Sequence, residues 1–355
     1  MSLLQAFRDQ SDTCTRMGSP LMGRVLRILA ENWDADSALG QKMAQYQGDI
    51  GPAGHSLPLR ICGGLHALVL QDRDAGLRAA YPPNTSSDAQ LEEAVLIALK
   101  THQDFLIDWT QSPPQTNEVR RSAALMAMAH VTLSHFDRPI VLSELGASGG
   151  LNLMWDHFAL DTGSARLGPK DAVLTLEPDW TGAAPQQAYP QVVNRSGVDL
   201  NPLNPNDPAD LLRLTAYLWA DQPHRLALTK AAASVMDALV EKGDAINWLA
   251  TRLEAAPEGH LHIIQHTVAW QYFPAEAQKR GTDLIEAAGA RATPTTPLAW
   301  MQMETDGDAT GAIGAALTLR LWPGDLTLHL GRADFHGRWI KWAGRPAARR
   351  QLRVG

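Results

Sequence analysis

Residues 140–152 decide the fold, and they read Ile140-Val141-Leu142-Ser143-Glu144-Leu145-Gly146-Ala147-Ser148-Gly149-Gly150-Leu151-Asn152. A short apolar run ends near an acid, a turn of small residues follows, and an apolar segment then resumes. This order predicts a buried strand, a tight turn and a helix. Glycines let the backbone of such a turn approach a ligand, with N–H groups and the helix start directed at it. The plain alternative is a tight strand-to-helix turn that binds nothing.

The chain changes in pattern on either side of residue 137. Residues 1–137 carry apolar side chains at helical spacing and predict an all-α N-terminal domain. Residues 138–355 alternate short apolar runs with helical segments, which predicts a doubly wound, mostly parallel α/β sheet. Its last two strands, 315–321 and 326–330, are too close in sequence for a parallel crossover and predict an antiparallel hairpin. A stretch rich in Gly, Pro and Thr at about 160–190 predicts an insertion.

Composition excludes several classes of protein. The chain has 355 residues and a net charge of −7, which predicts two units and argues against a general nucleic-acid binder. Its 2 cysteines carry no pairing motif and fit a reducing compartment. No apolar run approaches the roughly 18 residues of a membrane span, and the N-terminus is charged too early for a secretory leader. We therefore expect a cytoplasmic protein that acts on a small molecule, with no nucleic-acid or membrane partner.

Two kinds of site compete for the glycine turn at first sight. As a dinucleotide-binding fingerprint the turn is poor, because Ser148 and Leu151 replace two of the three glycines. As a hydrolase elbow, Gly146-x-Ser148-x-Gly150 fits the G-x-S-x-G pattern, and His266 or His336 would follow in the right order as the base. In hydrolases several strands of the sheet normally precede the elbow in the chain, whereas only helices are predicted before this turn.

A third kind is the S-adenosylmethionine site of class I methyltransferases. Those enzymes carry an acid at the end of the first strand, and Glu144 followed by the glycine turn resembles that arrangement. Gly197-Val198-Asp199 resembles the second-strand motif whose carboxylate binds the ribose hydroxyls, and Gly243-Asp244-Ala245 resembles the acidic turn that holds the adenine amino group. Asp199 lies 55 residues after Glu144, against about 20 in a dinucleotide fold, and the insertion would account for the excess. The predicted cofactor residues are Glu144, Gly146, Ser148, Gly150, Asn152, Asp199 and Asp244.

Seven short segments occur in order along nearly the whole chain. They are Gln115-Thr116-Asn117-Glu118, residues 144–152, residues 195–199, residues 264–272, Pro297-Leu298-Ala299-Trp300, Leu321-Trp322-Pro323-Gly324 and His336-Gly337-Arg338-Trp339. This succession resembles an uncharacterised bacterial domain-of-unknown-function family related to class I methyltransferases. The resemblance implies a methyltransferase-like fold with S-adenosylmethionine as cofactor, and it implies no substrate. Where the family more often has a hydroxyl residue this chain has Gln265, so we give that position no role.

Candidate catalytic residues follow the fourth and fifth predicted strands. His266 is the candidate general base, and Glu304 and His336 are the further candidates. The alternative for His266 is a structural histidine held by hydrogen bonds. His260 shares a strand face with His266, but about 20 Å of extended strand separates them, so we predict no metal site.

Candidate substrate residues come from two places. Asn117, Glu118 and Arg121 would occupy the first turn of a helix capped by Thr116, from which the helical domain would cover the pocket and bind a substrate carboxylate or phosphate. A capping role is the alternative for Glu118. Four tryptophans near the glycine turn and the strand ends predict a substrate that is partly apolar, aromatic or cationic. They are Trp155, Trp270, Trp300 and Trp339, and Tyr272 is a further substrate candidate.

From the sequence we therefore expect S-adenosylmethionine-dependent methyl transfer to a small molecule. A serine hydrolase, a nucleotide oxidoreductase and a non-catalytic protein with a degenerate ligand site are the alternatives. Residues 337–355 carry six basic residues and no acidic one. We interpret them as a short solvated tail rather than as a binding segment.

Overall fold

The computed structural model describes residues 1–52, 54–307 and 313–344. Its internal contacts divide the chain into two compact units. The first unit is Met1–Thr116 with Asp207–Ala227, and the second is Asn117–Asn206 with Leu228–Gly355. The division therefore falls after Thr116 rather than after residue 137. The reason is the helix Ser122–His135, which is buried around almost its whole circumference and packs on strands of the second unit.

The first unit is helical, as the sequence predicts. Its helices are α1 (Leu3–Arg16), α2 (Pro20–Asn32), α3 (Ala38–Ala44), α4 (Leu57–Leu70), α5 (Ala75–Ala80), α6 (Asp88–Thr101), α7 (Gln103–Trp109) and, from the later segment, α9 (Pro208–Ala216). Ser87 caps α6, and Gln90 completes a capping box there. The apolar faces of α1, α2, α4 and α6 enclose one hydrophobic core.

The second unit holds the strands and the remaining helices. The strands are β1 (Ile140–Leu145), β2 (Phe158–Asp161), β3 (Arg166–Leu167), β4 (Leu174–Leu176), β5 (Asp179–Thr181), β6 (Val192–Asp199), β7 (Leu239–Lys242), β8 (Leu261–Thr267), β9 (Leu298–Glu304), β10 (Ala315–Trp322), β11 (Leu326–Ala333) and β12 (Trp339–Trp342). The helices are α8 (Ser122–His135), α10 (Pro223–Ala233, which begins in the first unit), α11 (Ala245–Arg252) and α12 (Ala275–Arg291). Three short 3₁₀ helices span Val119–Arg121, Leu151–His157 and Trp270–Tyr272.

Nine strands form one mostly parallel sheet in the order β5-β12-β11-β10-β9-β8-β1-β6-β7. The strands β7, β6, β1, β8 and β9 run parallel to one another. By their order in the chain they are the third, second, first, fourth and fifth strands of this parallel part. The strand order therefore reverses between β1 and β8, and in open α/β sheets ligands bind beyond the carboxyl ends of the strands at such a point.

The predicted hairpin is confirmed, because β10 and β11 pair antiparallel from Leu321 opposite Leu326. The predicted insertion contains strands of its own. There β2, β3 and β4 form a separate three-stranded sheet, and β5 joins the edge of the large sheet beside β12. The strands β7 and β12 were not predicted, because each is only four residues long.

The two faces of the large sheet pack on different helices. Leu145 of β1 and Ile264 of β8 share a hydrophobic cluster with residues of α11 and α12. Glu144 and Gln265 are register partners on the opposite face, and α8 packs against β9 and β10. No helix in the described ranges combines the length and apolar composition that crossing a membrane requires. Of the predicted basic tail, Arg338 pairs with Asp334, whereas residues 345–355 lie outside the described residues.

Candidate functional site

The glycine turn leaves the end of β1 and is packed on both sides. Gly146, Ser148 and Gly150 have φ angles of +67°, +55° and +74°. A Cβ on Gly146 would lie 2.6 Å from the Cβ of Ala269. The glycine at position 146 therefore has a structural reason, because no side chain fits between the turn and the loop that follows β8.

Most backbone N–H groups of the turn have partners within the chain. Ala147 donates to the Val198 carbonyl at 3.0 Å, and Gly150 donates to the Ala147 carbonyl at 2.7 Å. Leu151 donates to Asn117 Oδ1 at 2.8 Å. The segment after the turn is a seven-residue 3₁₀ helix rather than an α-helix. The expectation that these N–H groups and a helix start point at a ligand is therefore wrong for these positions.

Asp199 reaches the turn from the end of β6. Its Oδ2 accepts a hydrogen bond from the Ser148 N–H at 2.9 Å, and its Oδ1 accepts one from the Asn201 N–H at 2.9 Å. The strands β2 to β5 occupy the chain between Glu144 and Asp199, and they account for the long spacing. The structure thus brings Glu144, Gly146, Ser148 and Asp199 to one end of the sheet.

Glu144 is a buried carboxyl group at the end of β1. It is 2% exposed, and its Oε2 has no hydrogen-bond partner in the described part of the chain. The pKa of Glu144 is raised to about 8, chiefly by burial. The hydrogen bond with Gln265 and the charge of Arg121 oppose this shift, and the charge of Asp199 adds to it. Glu144 is therefore largely protonated near neutral pH unless a positive group arrives beside it.

Ser148 is also buried and strained. It is 7% exposed, it has a positive φ, and its Oγ has no partner among the described residues. No hydrogen bond joins Ser148 Oγ to His266 or to His336. The nucleophile and base of the hydrolase alternative are therefore not assembled in this structure.

Gln265 is the residue of this region that the sequence reading set aside. Its side chain is fully buried, its Oε1 accepts the indole N–H of Trp155 at 3.0 Å, and its Nε2 donates to the Asn152 carbonyl at 3.1 Å. Asn152 in turn accepts a hydrogen bond from Ser122 Oγ at 2.7 Å through its own side chain. A polar amide directly after the apolar pair Ile263-Ile264 was the available signal. Asn152 is thus a link in this network, and its predicted cofactor role remains a prediction.

The segment before α8 is tied to the same end of the sheet. Thr116 does not cap an α-helix, because α8 begins only at Ser122. Glu118 accepts the Arg120 N–H at the start of the 3₁₀ helix and forms a bidentate ion pair with the Arg120 guanidinium. Arg121 donates to the carbonyls of Thr267 and Phe335. These contacts favour a structural role for Glu118, whereas the substrate roles of Asn117 and Arg121 remain predictions.

His266 lies in a cluster with Glu304 and two tryptophans. Its Nδ1 lies 2.7 Å from Glu304 Oε1, and its Nε2 accepts the indole N–H of Trp300 at 2.9 Å. Because an indole only donates, the ring proton of His266 is on Nδ1 and is donated to Glu304. The ring of Trp270 stacks on His266 at a centroid distance of 4.9 Å. This arrangement leaves no acceptor nitrogen on His266 for a substrate proton and favours the structural alternative over the general base.

Three further predicted residues have different surroundings. Asp244 is exposed and caps α11 by accepting the N–H groups of Ile246 and Asn247. Tyr272 is 73% exposed. Trp339 lies on β12, five strands from β1, with Lys341 over its ring. Within the described ranges, no three His, Cys, Asp or Glu side chains form a group that could hold a metal ion.

Comparison with known families adds one assignment. A family model described as "Uncharacterized protein conserved in bacteria (DUF2332)" matches residues 4–342. The chain belongs to the DUF2332 family. No curated protein matches the chain. The residues of this DUF2332 protein that meet at the switch point of the sheet all lie within the matched range.

Proposed function

We propose that this DUF2332 protein binds S-adenosylmethionine beyond the carboxyl ends of β1 and β6 and methylates a small molecule. The observation that carries the proposal is the pair of buried polar atoms at the glycine turn, Glu144 Oε2 and Ser148 Oγ, which lack partners among the described residues. Buried polar groups are hydrogen-bonded as a rule, so atoms like these indicate a bound polar ligand or water. They lie where the strand order reverses, which is where ligands bind in sheets of this type.

The residues present fit the charge of this cofactor. S-adenosylmethionine carries a sulfonium, an ammonium group and a ribose diol, and it has no phosphate. Glu144 and Asp199 offer carboxyl oxygens, which suit cationic and hydroxyl groups. A dinucleotide needs free N–H groups for its pyrophosphate, and those of Ala147, Ser148, Gly150 and Leu151 are already engaged. The turn therefore favours a cationic ligand over a nucleotide phosphate.

The chain's own residues would perform two tasks. Asp199 would hold the ribose hydroxyls with its carboxylate, and Glu144 would lie near the cationic part of the ligand. The cofactor would supply an electrophilic methyl group, so the protein has to align two reactants and exclude water.

The parallel strand order and the sequence resemblance support the methyltransferase assignment further. The first strand ends in an acid followed by the glycine turn, and the second strand ends in an acid that contacts this turn. Both features agree with the resemblance on residues 144–152 and 195–199. We propose on these grounds that the second unit has the class I methyltransferase fold and that the protein acts in the cytoplasm on small molecules.

The test is a binding comparison across three ligand classes. Isothermal titration with S-adenosylmethionine and S-adenosylhomocysteine is expected to show binding, whereas NAD is expected to show none. A fluorophosphonate probe is expected to leave Ser148 unlabelled. Labelling at Ser148 without S-adenosylmethionine binding would support the hydrolase alternative, and binding without turnover on a broad metabolite panel would support the non-catalytic one.

A further inference from the structure

The two carboxylate oxygens of Glu304 differ in their hydrogen bonds. Three donors converge on Oε1: His266 Nδ1 at 2.7 Å, the Ala269 N–H at 3.0 Å and the Trp270 N–H at 3.2 Å. The other oxygen, Oε2, is buried and has no hydrogen-bond partner in the described part of the chain. The residue as a whole is 8% exposed. A buried carboxylate oxygen without a donor is costly, so this atom needs a partner that the chain itself does not provide.

The position of Glu304 connects it to the glycine turn. It ends β9, the fifth strand of the parallel part, beside β8. Its Oε1 fixes Ala269, and the Cβ of Ala269 is the atom that a side chain on Gly146 would strike. Glu304 is therefore linked to the glycine turn through Ala269, at the end of the sheet where the strand order reverses.

Aromatic rings surround the hydrogen-bond partners of this carboxylate. His266 stacks on Trp270 with an interplanar angle of 17°, and Trp270 meets Trp300 edge-on at 5.5 Å. Trp270 is only partly buried. A buried carboxylate oxygen next to such a ring cluster suits an organic ammonium group, which binds through a charge-assisted hydrogen bond.

We infer that the methyl acceptor is an amine whose N–H donors bind Oε2 of Glu304, an inference that rests on the proposed function. The bound ammonium would give one proton to Oε2. The freed nitrogen lone pair would then form the N–CH₃ bond as the S–CH₃ bond of S-adenosylmethionine breaks, and S-adenosylhomocysteine would leave. The role of Glu304 is then double. Oε1 holds the loop after β8 in place, and Oε2 binds the substrate nitrogen and orients it. His266 acts as a positioning residue, because its Nδ1–H fixes the carboxylate rather than touching the substrate.

The test uses three simple probes of similar size and different charge: benzylammonium, benzyl alcohol and phenylacetate. The indole N–H signal of Trp300 is the reporter in ¹⁵N-tryptophan-labelled full-length protein, assigned with the Trp300→Phe variant. Benzylammonium is expected to shift this signal saturably, with a Kd at least about tenfold below that of benzyl alcohol. Phenylacetate is expected to cause no shift. No shift with benzylammonium up to millimolar concentrations, or equal affinity for the alcohol or the carboxylate, would overturn the inference.

Variants locate the effect. Glu304→Gln is expected to raise the Kd for benzylammonium at least about tenfold, whereas Glu258→Gln, which changes an exposed carboxylate, leaves it unaltered. If Glu304→Gln does not fold, the three-probe series on the wild type still decides the matter. Because S-adenosylmethionine binding is measured separately by titration, the two failures can be told apart. Amine binding without cofactor binding would contradict the proposed function alone, and cofactor binding without amine preference would contradict this inference alone.

Discussion

The carboxylate of Asp199 accepts a hydrogen bond from the backbone N–H of Ser148 at 2.9 Å. This contact joins the end of β6 to the turn that follows β1, although 51 residues separate the two positions. The Asp199 oxygen replaces a solvent or ligand partner for that N–H, and it draws the second acid of the sheet to the switch point. The geometry of the site therefore depends on how closely the glycine turn packs against its neighbours.

The two positive-φ glycines Gly146 and Gly163 form a matched pair for testing that tightness. Their φ angles are +67° and +75°, but a Cβ would strike Ala269 at Gly146 and meets nothing within 4 Å at Gly163. Gly163→Ala is expected to cost about 1–2 kcal/mol from backbone strain alone. Gly146→Ala is expected to cost about 1–3 kcal/mol more because the loop must move. Urea unfolding of both variants measures the difference, and equal losses would show that the turn is looser than described.

The buried carboxyl of Glu144 predicts a pH-dependent stability. Its pKa is raised to about 8 by burial, whereas an unfolded glutamate titrates near 4.3. Between these values the folded state binds the proton and the unfolded state has lost it, so stability falls as the pH rises from about 4 to about 8. Glu144→Gln removes this term. Its Tm is expected to exceed that of the wild type at pH 8 and to approach it at pH 5, by scanning calorimetry. A variant that is less stable at both pH values would contradict the assignment of a buried, protonated carboxyl.

The buried His262 predicts that stability falls as the pH decreases, which is the opposite of the effect of Glu144. Burial and the charge of Arg252 together lower its pKa to about 3. Its Nε2 lies 2.9 Å from the buried Ser143 hydroxyl, which also receives a hydrogen bond from Arg252. Below about pH 6.5 the unfolded state takes up a proton that the folded state does not, so stability falls by about 1.4 kcal/mol per pH unit from this group. His262→Gln is expected to flatten the pH profile of Tm between pH 6.5 and 4. An unchanged slope would mean that other groups cause the acid loss.

Gln265 predicts a coupled loss of stability. Gln265→Leu leaves the Trp155 indole N–H and the Asn152 carbonyl without the partners they have now. Each unpaired buried group costs about 1–3 kcal/mol. Trp155→Phe removes one of the same hydrogen bonds, so the double variant is expected to lose less than the sum of the single variants. Denaturant unfolding of the four proteins gives the coupling energy, and strict additivity would contradict the network.

The helices and strands could be predicted from the sequence because the spacing of apolar residues and the positions of turn residues indicate them. The apolar runs at 140–145, 261–267 and 298–304 are strands, and the short Trp322–Asp325 connection forces the hairpin. The sequence suggests a boundary at residue 137, whereas the internal contacts divide the chain after Thr116, because α8 is buried on almost all sides. Because α8 has no polar face, its sequence does not show which neighbouring elements it packs against.

The site could be predicted only in outline. The sequence identified Glu144 and Asp199 as acids at strand ends, and the structure brings Asp199 onto the turn. The sequence could not show that the Leu151 N–H donates to Asn117, or that both ring nitrogens of His266 are hydrogen-bonded. Such facts depend on tertiary hydrogen bonds between distant segments, which leave no periodic signal in the chain.

The most direct test of the central claim is titration of S-adenosylmethionine into the wild type and into Asp199→Asn, with Asp179→Asn as an exposed control on another strand of the same sheet. Loss of a hydrogen bond to a charged carboxylate costs about 1.5–3 kcal/mol, so the Kd of Asp199→Asn is expected to rise about 10- to 100-fold. The control is expected to bind like the wild type. Absence of binding to the folded wild type, or equal affinity in all three proteins, would contradict the account.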